Sequence, residues 1–305
     1  MRWLSRLSLK PALPVLLCIA FGAGWRPAAA REPPASAAAL AAKLATLTER
    51  ADARVGVSVV HVESGREVAV GGDAALPLYS VFKLPLAVMV LKYIERGQLR
   101  LDQQTRVEAG DVAPGVPSNT ERWRDLPVAV SVQQLLEFSL IDSDNTASDE
   151  LLALVGGPAE LTRQLRALGL MDIDIRGSTK EIATLREHTN RGTASGLSRL
   201  LSALQRGVVL RPAERAILWD LMGRSQTGKH RLRGALPAGT PVQDKTGSGR
   251  AGSATNDVGV VTLPGERGHL AIAVLITGST RPTAEQERII AEIGRAAFEA
   301  YATSP

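Results

Sequence analysis

The sequence predicts an α/β protein: an antiparallel sheet built from both chain ends, flanked by helices, with an all-helical inserted region. Strand-like patterns concentrate near the two ends of the 305-residue chain, and helix-like patterns fill the middle. Hydrophobic residues make up 45% of the chain and charged residues 22%, which allows a large core and excludes a disordered or fibrous protein. We expect an α/β part from residues 31–98 and 225–305 and a helical part from residues 99–224.

The first 30 residues have the three parts of a secretory signal peptide. A basic start is followed by an apolar stretch at 14–21 and by small residues at 28–30. We expect cleavage and export to the periplasm or medium, without stable membrane insertion, because prolines and glycines interrupt an apolar run shorter than about 18 residues. Cys18, the only cysteine, leaves a lipoprotein as an alternative. Removal of the segment lowers the net charge from +5 to +1, so the composition gives little support to a nucleic-acid partner.

The elements after this segment are predicted to be a helix, a hairpin and a buried helix. Residues 37–50 combine helix formers with apolar residues at helical spacing. The β-branched runs 55–62 and 67–70 flank Glu63-Ser64-Gly65-Arg66, which indicates a hairpin turn. Residues 80–94 are strongly apolar and precede a glycine stop, so this helix should be buried.

Helical periodicity dominates the middle of the chain. Five segments there show it: 131–138, 146–154, 158–168, 194–205 and 212–222. Between Gly169 and Gly192 lies a polar, weakly periodic stretch, and connections this long in compact domains usually have a function. Strands are expected again at 241–245, 257–263 and 270–276, and a helix at 284–301 closes the chain.

Ser80-Val81-Phe82-Lys83 places a hydroxyl at the first turn of a helix and an amine three residues later on the same face. Serine is a weak nucleophile unless a base removes its proton, and burial can lower the pKa of a lysine enough for it to act as that base. The helix N-terminus would also stabilise an oxyanion. Taken alone, the pattern equally fits an N-cap serine and a surface lysine.

Two further short motifs have the same ambiguity. Ser143-Asp144-Asn145 fits a helix N-cap, but Ser143 could also carry a proton to a leaving nitrogen and Asn145 could bind substrate and lysine. Lys245-Thr246-Gly247 fits a surface turn, but its lysine and threonine could bind a carboxylate where glycine lets a ligand approach the backbone. The order and combination of the three motifs are far more specific than each motif alone.

The three motifs together occur in class A β-lactamases and penicillin-binding proteins. The chain resembles class A serine β-lactamases over nearly its whole mature length, including Gly156-Gly157-Pro158, residues 228–233 and Thr255-Asn256-Asp257. The resemblance implies a sheet flanked by helices, an all-helical region, and an active site in the cleft between them. It also implies a small-molecule β-lactam substrate, no cofactor and a monomer.

The resemblance implies roles for individual residues. Ser80 is the expected acylated nucleophile, Lys83 its activating amine, Ser143 the proton shuttle and Asn145 a substrate ligand. Five further residues are expected to bind the substrate, at or beside its carboxylate: Lys245, Thr246, Gly247, Ser248 and Arg231. The backbone N–H groups of the nucleophile and of Ser248 would form the oxyanion hole. A surface arginine is the alternative for Arg231.

The chain departs from the family pattern in the long loop before the third motif. Class A enzymes have Glu-x-x-Leu-Asn there, and its glutamate activates the water that releases the acyl group; no such pentapeptide occurs in this sequence. The nearest carboxylate is Glu181, which we expect to take this role, with Glu187 as a second candidate. Asn190 could replace the missing asparagine. Each glutamate could also be a solvated loop residue.

The sequence also allows other functions. The four histidines have no metal-ligand spacing, so no metal site is expected. A D,D-peptidase or an esterase would share the three motifs. A penicillin-binding sensor or sink would be acylated at Ser80 and stay acylated, because the loop lacks its glutamate.

Overall fold

The computed structural model describes residues 35–114, 121–185 and 189–302. The first range contains α1 (Ala35–Glu49), β1 (Arg54–His61), β2 (Arg66–Val70), β3 (Leu76–Pro77), a 3₁₀ helix (Tyr79–Phe82), α2 (Lys83–Glu95), β4 (Gln104–Val107) and a second 3₁₀ helix (Ala109–Asp111). The second range contains β5 (Val128–Ser131), α3 (Val132–Ile141), α4 (Asn145–Leu154), α5 (Gly157–Ala167), β6 (Ile173–Asp174) and α6 (Thr179–Leu185). The third range contains β7 (Arg191–Gly192), α7 (Ala194–Gln205), α8 (Pro212–Gly223), two 3₁₀ helices (Leu232–Ala235 and Arg250–Gly252), β8 (Val242–Ser248), β9 (Ala254–Thr262), β10 (His269–Thr277) and α9 (Thr283–Ala302).

The main sheet has five antiparallel strands in the order β2-β1-β10-β9-β8. The first two strands in this order come from the N-terminal end and the other three from the C-terminal end, which confirms the predicted assembly from both chain ends. In the pair β8–β9, Thr246 lies opposite Asp257 and Gly247 opposite Asn256. The third motif therefore lies on an edge strand of the sheet.

Alternating side chains of the sheet enter two separate cores. On β10, Ile272 and Val274 pack in a cluster with leucines of α1 and isoleucines of α9, whereas Ala271 and Ala273 pack toward α2 and α7. This alternation follows from the two-residue period of a strand. Helices thus cover both faces of the sheet, as predicted.

Helix α2 runs through the larger of the two cores. Its first nine residues are all buried, from Lys83 to Leu91, and Leu84, Leu86 and Leu91 have no exposed surface. The helix is preceded by the 3₁₀ turn that contains Ser80, so the predicted helix at 80–94 begins in a tighter geometry than expected. The apolar sequence of α2 therefore fixes the position of the first motif.

The region between residues 99 and 224 is mainly helical but also contains short strands. β4 pairs with β5, and the two-residue strand β7 pairs with both β3 and β6. Strands this short have too few residues to show a two-residue period, which is why the sequence gives no sign of them. The helix α6, unexpected in the polar stretch, does have a signal: Ser178 and Glu181 form a capping-box pattern.

Three expectations lie beyond what the structure describes. The signal peptide and Cys18 fall outside the described residues, as does Glu187. The domain bounds at residues 98 and 225 remain a prediction. Among the residues described, no helix is both long and apolar enough to cross a membrane.

Candidate active site

Ser143 links the three sequence motifs. Its Oγ accepts hydrogen bonds from Lys245 Nζ at 3.0 Å and from Lys83 Nζ at 3.4 Å. Lys83 also donates to the carbonyl oxygen of Ser143 at 2.6 Å. The three motifs, far apart in the sequence, thus converge on one hydroxyl, as the resemblance implies.

Ser80 lies half-buried in the 3₁₀ turn at the start of α2, three residues before Lys83. The residue before it, Tyr79, has a φ of 47°, and Ser143 has a φ of 60°. Left-handed conformations cost a residue other than glycine about 1–3 kcal/mol and persist only where surrounding contacts enforce them. Both Tyr79, which precedes Ser80, and Ser143 are therefore held in conformations that an isolated chain would avoid.

Lys83 has no exposed surface. Burial lowers its pKa well below the usual value, the charge of Lys245 lowers it further, and the charges of Asp144 and Asp149 act in the opposite direction. Its ammonium donates to Asn145 Oδ1 at 2.8 Å besides its bonds to Ser143. A lysine with a depressed pKa beside a serine can remove the serine proton near neutral pH.

Lys245 also has no exposed surface. Burial lowers its pKa to about 8, Asp244 and Asp257 act in the opposite direction, and Arg231 lowers it further. Burial and the charge of Asp244 raise the pKa of Asp257 itself to about 8. Lys245 Nζ donates to the carbonyl oxygen of Thr246 at 3.1 Å as well as to Ser143. With a pKa of about 8, this amine is mostly protonated at neutral pH and places a positive charge beside the Ser143 hydroxyl.

Asp144 anchors the second motif. Its Oδ1 caps α4 by accepting from the N–H of Ala147 at 2.9 Å, and its Oδ2 accepts from Arg122 Nη1 at 3.0 Å and from Trp123 Nε1 at 2.9 Å. The helix-cap interpretation of this motif is thus correct for its middle residue, while its neighbours face the lysines. Asn145 Nδ2 in turn donates to the carbonyl oxygen of Pro114 at 2.6 Å.

The third motif packs directly against the nucleophile segment. A side chain at Gly247 would collide with the carbonyl oxygen of Leu78 and crowd the backbone N of Val81 at 3.2 Å. Only glycine lets β8 approach the turn that contains Ser80 this closely. Thr246, 4% exposed, shares a hydrogen bond of 2.7 Å with the hydroxyl of Thr227.

Arg231 is a buried residue, with 5% of its surface exposed, so the surface-arginine alternative does not apply. Its Nη2 donates to Ser248 Oγ at 2.7 Å, and its Nη1 donates to the carbonyl oxygens of Gly247 at 3.1 Å and Asn256 at 2.8 Å. Its Nε pairs with Glu287 at 3.1 Å. The guanidinium therefore holds the end of β8 and orients the Ser248 hydroxyl.

Asn256 fixes the nucleophile segment to the sheet, a role that the sequence did not reveal. Its Nδ2 donates to the carbonyl oxygens of Pro77 at 2.8 Å and Leu78 at 3.2 Å, and its Oδ1 accepts from the N–H of Ile276 at 3.1 Å. A buried amide that binds three backbone groups restricts the segment strongly. Its only sequence signal is its place in the family-like Thr-Asn-Asp run.

Glu181 lies in α6 with its side chain exposed. Its Oε2 accepts from the N–H of Ser178 at 2.8 Å, and its own N–H donates to Ser178 Oγ at 3.1 Å. This reciprocal pair is a capping box, which satisfies two amides at the helix start. Asn190 closes the same loop through its Oδ1, which accepts from the N–H of Arg176 at 2.8 Å. The role of Glu181 in water activation remains a prediction.

Comparison with known proteins gives a consistent result. The sequence model of the Beta-lactamase enzyme family matches residues 39–301. The extended-spectrum β-lactamase PER-1 of Pseudomonas aeruginosa is 33% identical over 254 residues, which cover 81% of this chain and 82% of that protein.

Solved structures agree with this match. A β-lactamase from Chitinophaga pinensis is 31% identical with a TM-score of 0.82 and covers 86% of this chain and 99% of its own. An ancestral (GNCA) class A β-lactamase is 34% identical with a TM-score of 0.79 and covers 86% of this chain and 100% of its own. The motifs gathered around Ser143, the fold and these similarities show that the chain belongs to the β-lactamase enzyme family, as a class A serine β-lactamase.

Proposed function

We propose that this protein hydrolyses β-lactams through an acyl-enzyme on Ser80. The observation that carries the proposal is the hydroxyl of Ser143, which accepts from two fully buried lysines, one of them the first residue of α2, three positions after Ser80. One lysine with a depressed pKa and one that stays charged give the site a base and an electrostatic anchor.

In the acylation step, Ser80 Oγ attacks the ring carbonyl while its proton moves to the neutral amine of Lys83. A bond forms between Oγ and the carbonyl carbon, and the carbon–nitrogen bond of the ring breaks when the tetrahedral intermediate collapses. Ser143 donates its proton to the leaving nitrogen and recovers one from a neighbouring lysine, which its hydrogen bonds allow. The backbone N–H groups of Ser80 and Ser248 would stabilise the oxyanion.

The substrate carboxylate is proposed to bind at the end of β8. Lys245 supplies the charge and Thr246 a hydroxyl, while Arg231 positions the Ser248 hydroxyl at the exposed end of the strand. Gly247 keeps this strand close to the nucleophile, and Asn145 would contact the substrate from the opposite motif.

Deacylation requires a base for the attacking water. Glu181 remains the sequence candidate, although its carboxylate caps its own helix. A sensor or sink that stays acylated, and a D,D-peptidase or esterase activity, are the alternative functions. We further propose export after cleavage near residue 30, and a monomeric mature protein.

Mass spectrometry of the intact protein mixed with a penicillin tests the proposal. A β-lactamase should give a transient adduct together with hydrolysed product. A lasting adduct without product would indicate the sensor or sink, and the absence of any adduct and product would contradict the proposed function. Turnover of a D-Ala-D-Ala peptide or an ester instead would favour the other hydrolase activities.

A further inference from the structure

Asp149 lies one helical turn after Asn145 on α4, on the same face. Residues four apart on a helix have Cβ atoms about 5–6 Å from each other. Asn145 Oδ1 is 2.8 Å from Lys83 Nζ, and the charge of Asp149 also acts on that lysine. No sequence motif marks this residue.

The same carboxylate binds the loop in which the glutamate motif is missing. Its Oδ1 accepts from the N–H of Thr179 at 2.7 Å, and its Oδ2 accepts from the N–H of Lys180 at 2.9 Å. Asp149 is therefore the direct contact between α4, which carries Asn145, and the start of α6. A carboxylate with two amide donors still has lone pairs that can accept a proton.

The electrostatic surroundings of Asp149 suit a base. Burial raises the pKa of Asp149, and the two loop amides, the hydroxyl of Thr179 and the charge of Lys83 on α2 oppose that rise. The neighbouring carboxylate of Glu150 also interacts with it. In the part of the chain that the structure describes, no salt bridge joins Asp149 to a lysine or arginine, and the cation that acts on its pKa is Lys83.

Two other carboxylates near the loop have hydrogen-bond partners of their own. Asp144 also acts on Lys83, but it is fully buried and paired with Arg122 and Trp123. Glu181 is exposed and caps α6. Thr179, whose amide binds Asp149, also has a buried hydroxyl that lies close enough to Asp149 to lower the pKa of that carboxyl, yet it forms no hydrogen bond of normal geometry among the described residues. A buried hydroxyl normally has a partner, and water is the usual one when no protein group serves.

We propose that Asp149, with Thr179, activates the water that releases the acyl group, in place of the missing loop glutamate. The step rests on the proposed function. Thr179 Oγ1 and the Asp149 carboxylate hold a water; its proton moves to Asp149 while its oxygen bonds to the acyl carbon. The bond from that carbon to Ser80 Oγ then breaks, and Oγ takes up a proton, which returns Asp149 to its ionised state.

The test is single-turnover kinetics with a penicillin, followed by intact-protein mass spectrometry, on the parent and on Asp149→Asn. Asparagine keeps an acceptor oxygen for one of the two loop amides but cannot take a proton. Acylation should stay within about 3-fold of the parent, and deacylation should slow by about 10² to 10⁴-fold, the usual effect of a positioned general base. Glu150→Gln, at the adjacent carboxylate on α4, is the matched control and should deacylate within about 3-fold of the parent. Glu181→Gln tests the competing candidate.

Two more measurements separate chemistry from folding. Thr179→Val removes the hydroxyl but keeps the backbone amide, and it should slow deacylation by about 10-fold with little change in acylation. In the parent, deacylation should decline as the pH falls through the raised pKa of Asp149, because the protonated carboxyl accepts no proton. That decline should be absent in Asp149→Asn, which a purely structural role would not produce. Thermal unfolding of each variant verifies the fold.

The results distinguish this inference from the proposed function. A parent that is acylated and turns over, combined with normal deacylation in Asp149→Asn, overturns the role of Asp149 and leaves the β-lactamase intact. Slow deacylation in Glu181→Gln alone transfers the role to Glu181. A parent that keeps its adduct indefinitely overturns both water activation by Asp149 and the turnover in the proposed function.

Discussion

Lys83 and Lys245 donate to the same oxygen, Ser143 Oγ, although one lysine begins helix α2 and the other lies on strand β8. Two amines so close to one hydroxyl cannot both be charged without an electrostatic cost. The charge of Lys245 lowers the pKa of Lys83, and the charge of Arg231 lowers the pKa of Lys245. Burial lowers both pKa values, that of Lys83 well below the usual value and that of Lys245 to about 8. On this basis the proposed function takes Lys83 as the base and Lys245 as the charged group. The difference between the two lysines is the basis of the predictions below.

Ser80→Ala should abolish covalent labelling by a penicillin and leave the fold intact. The substitution removes only the Ser80 hydroxyl, and Lys83 keeps its hydrogen bonds to Ser143 and Asn145. Intact-mass analysis measures the adduct, and thermal unfolding verifies the fold. Labelling that persists in a folded Ser80→Ala variant would remove Ser80 from its role.

The KM for penicillins should rise above about pH 8. The pKa of Lys245 is lowered to about 8, so this lysine is charged below that pH and loses its charge above it. A neutral amine binds a substrate carboxylate more weakly, so ground-state binding weakens as the pH increases. Steady-state kinetics between pH 6 and pH 10 provide the check, and a KM that stays constant across this range contradicts the assignment.

Arg231→Ala should raise KM more than it lowers kcat, because the arginine orients the Ser248 hydroxyl that supports carboxylate binding. Arg224→Ala is the control, since Arg224 is exposed and pairs with Asp220 at 3.0 Å one turn away. Michaelis constants of both variants are compared with the parent. An unchanged KM in Arg231→Ala would show that the guanidinium only holds the strands together.

Gly247→Ala should reduce acylation sharply and destabilise the protein by about 1–3 kcal/mol, the usual cost of overpacking. The new methyl group would collide with the carbonyl oxygen of Leu78, two residues before the nucleophile. Gly110→Ala is the control, because a Cβ at that glycine meets no atom within 4 Å. Chemical denaturation and burst kinetics measure both effects. A Gly247→Ala variant with normal acylation would mean that the strand can retreat from the turn without loss.

Local sequence patterns determined most of the fold. The predicted helix at 194–205 has the bounds of α7, and the β-branched runs at 55–62 and 67–70 correspond to β1 and β2 within one residue. Periodic burial is a property of neighbouring residues, so it can be read from the chain itself. The three motifs also identified Ser80, Lys83 and Ser143 as candidates, because their order is specific even though each motif is common.

Tertiary packing decided how these groups work. The hydrogen bond between Lys245 and Ser143 joins residues 102 positions apart, and no local pattern predicts such a contact. The depth at which Lys83 is buried, and hence the direction of its pKa shift, depends on helices from several parts of the chain. Packing also placed Asp149 against the loop and turned Glu181 toward its own helix end, because side-chain direction depends on how α4 and α6 pack. The sequence alone determined which residues are candidates for the reaction. The tertiary structure decided which of them lie close enough to form hydrogen bonds and to shift each other's pKa values.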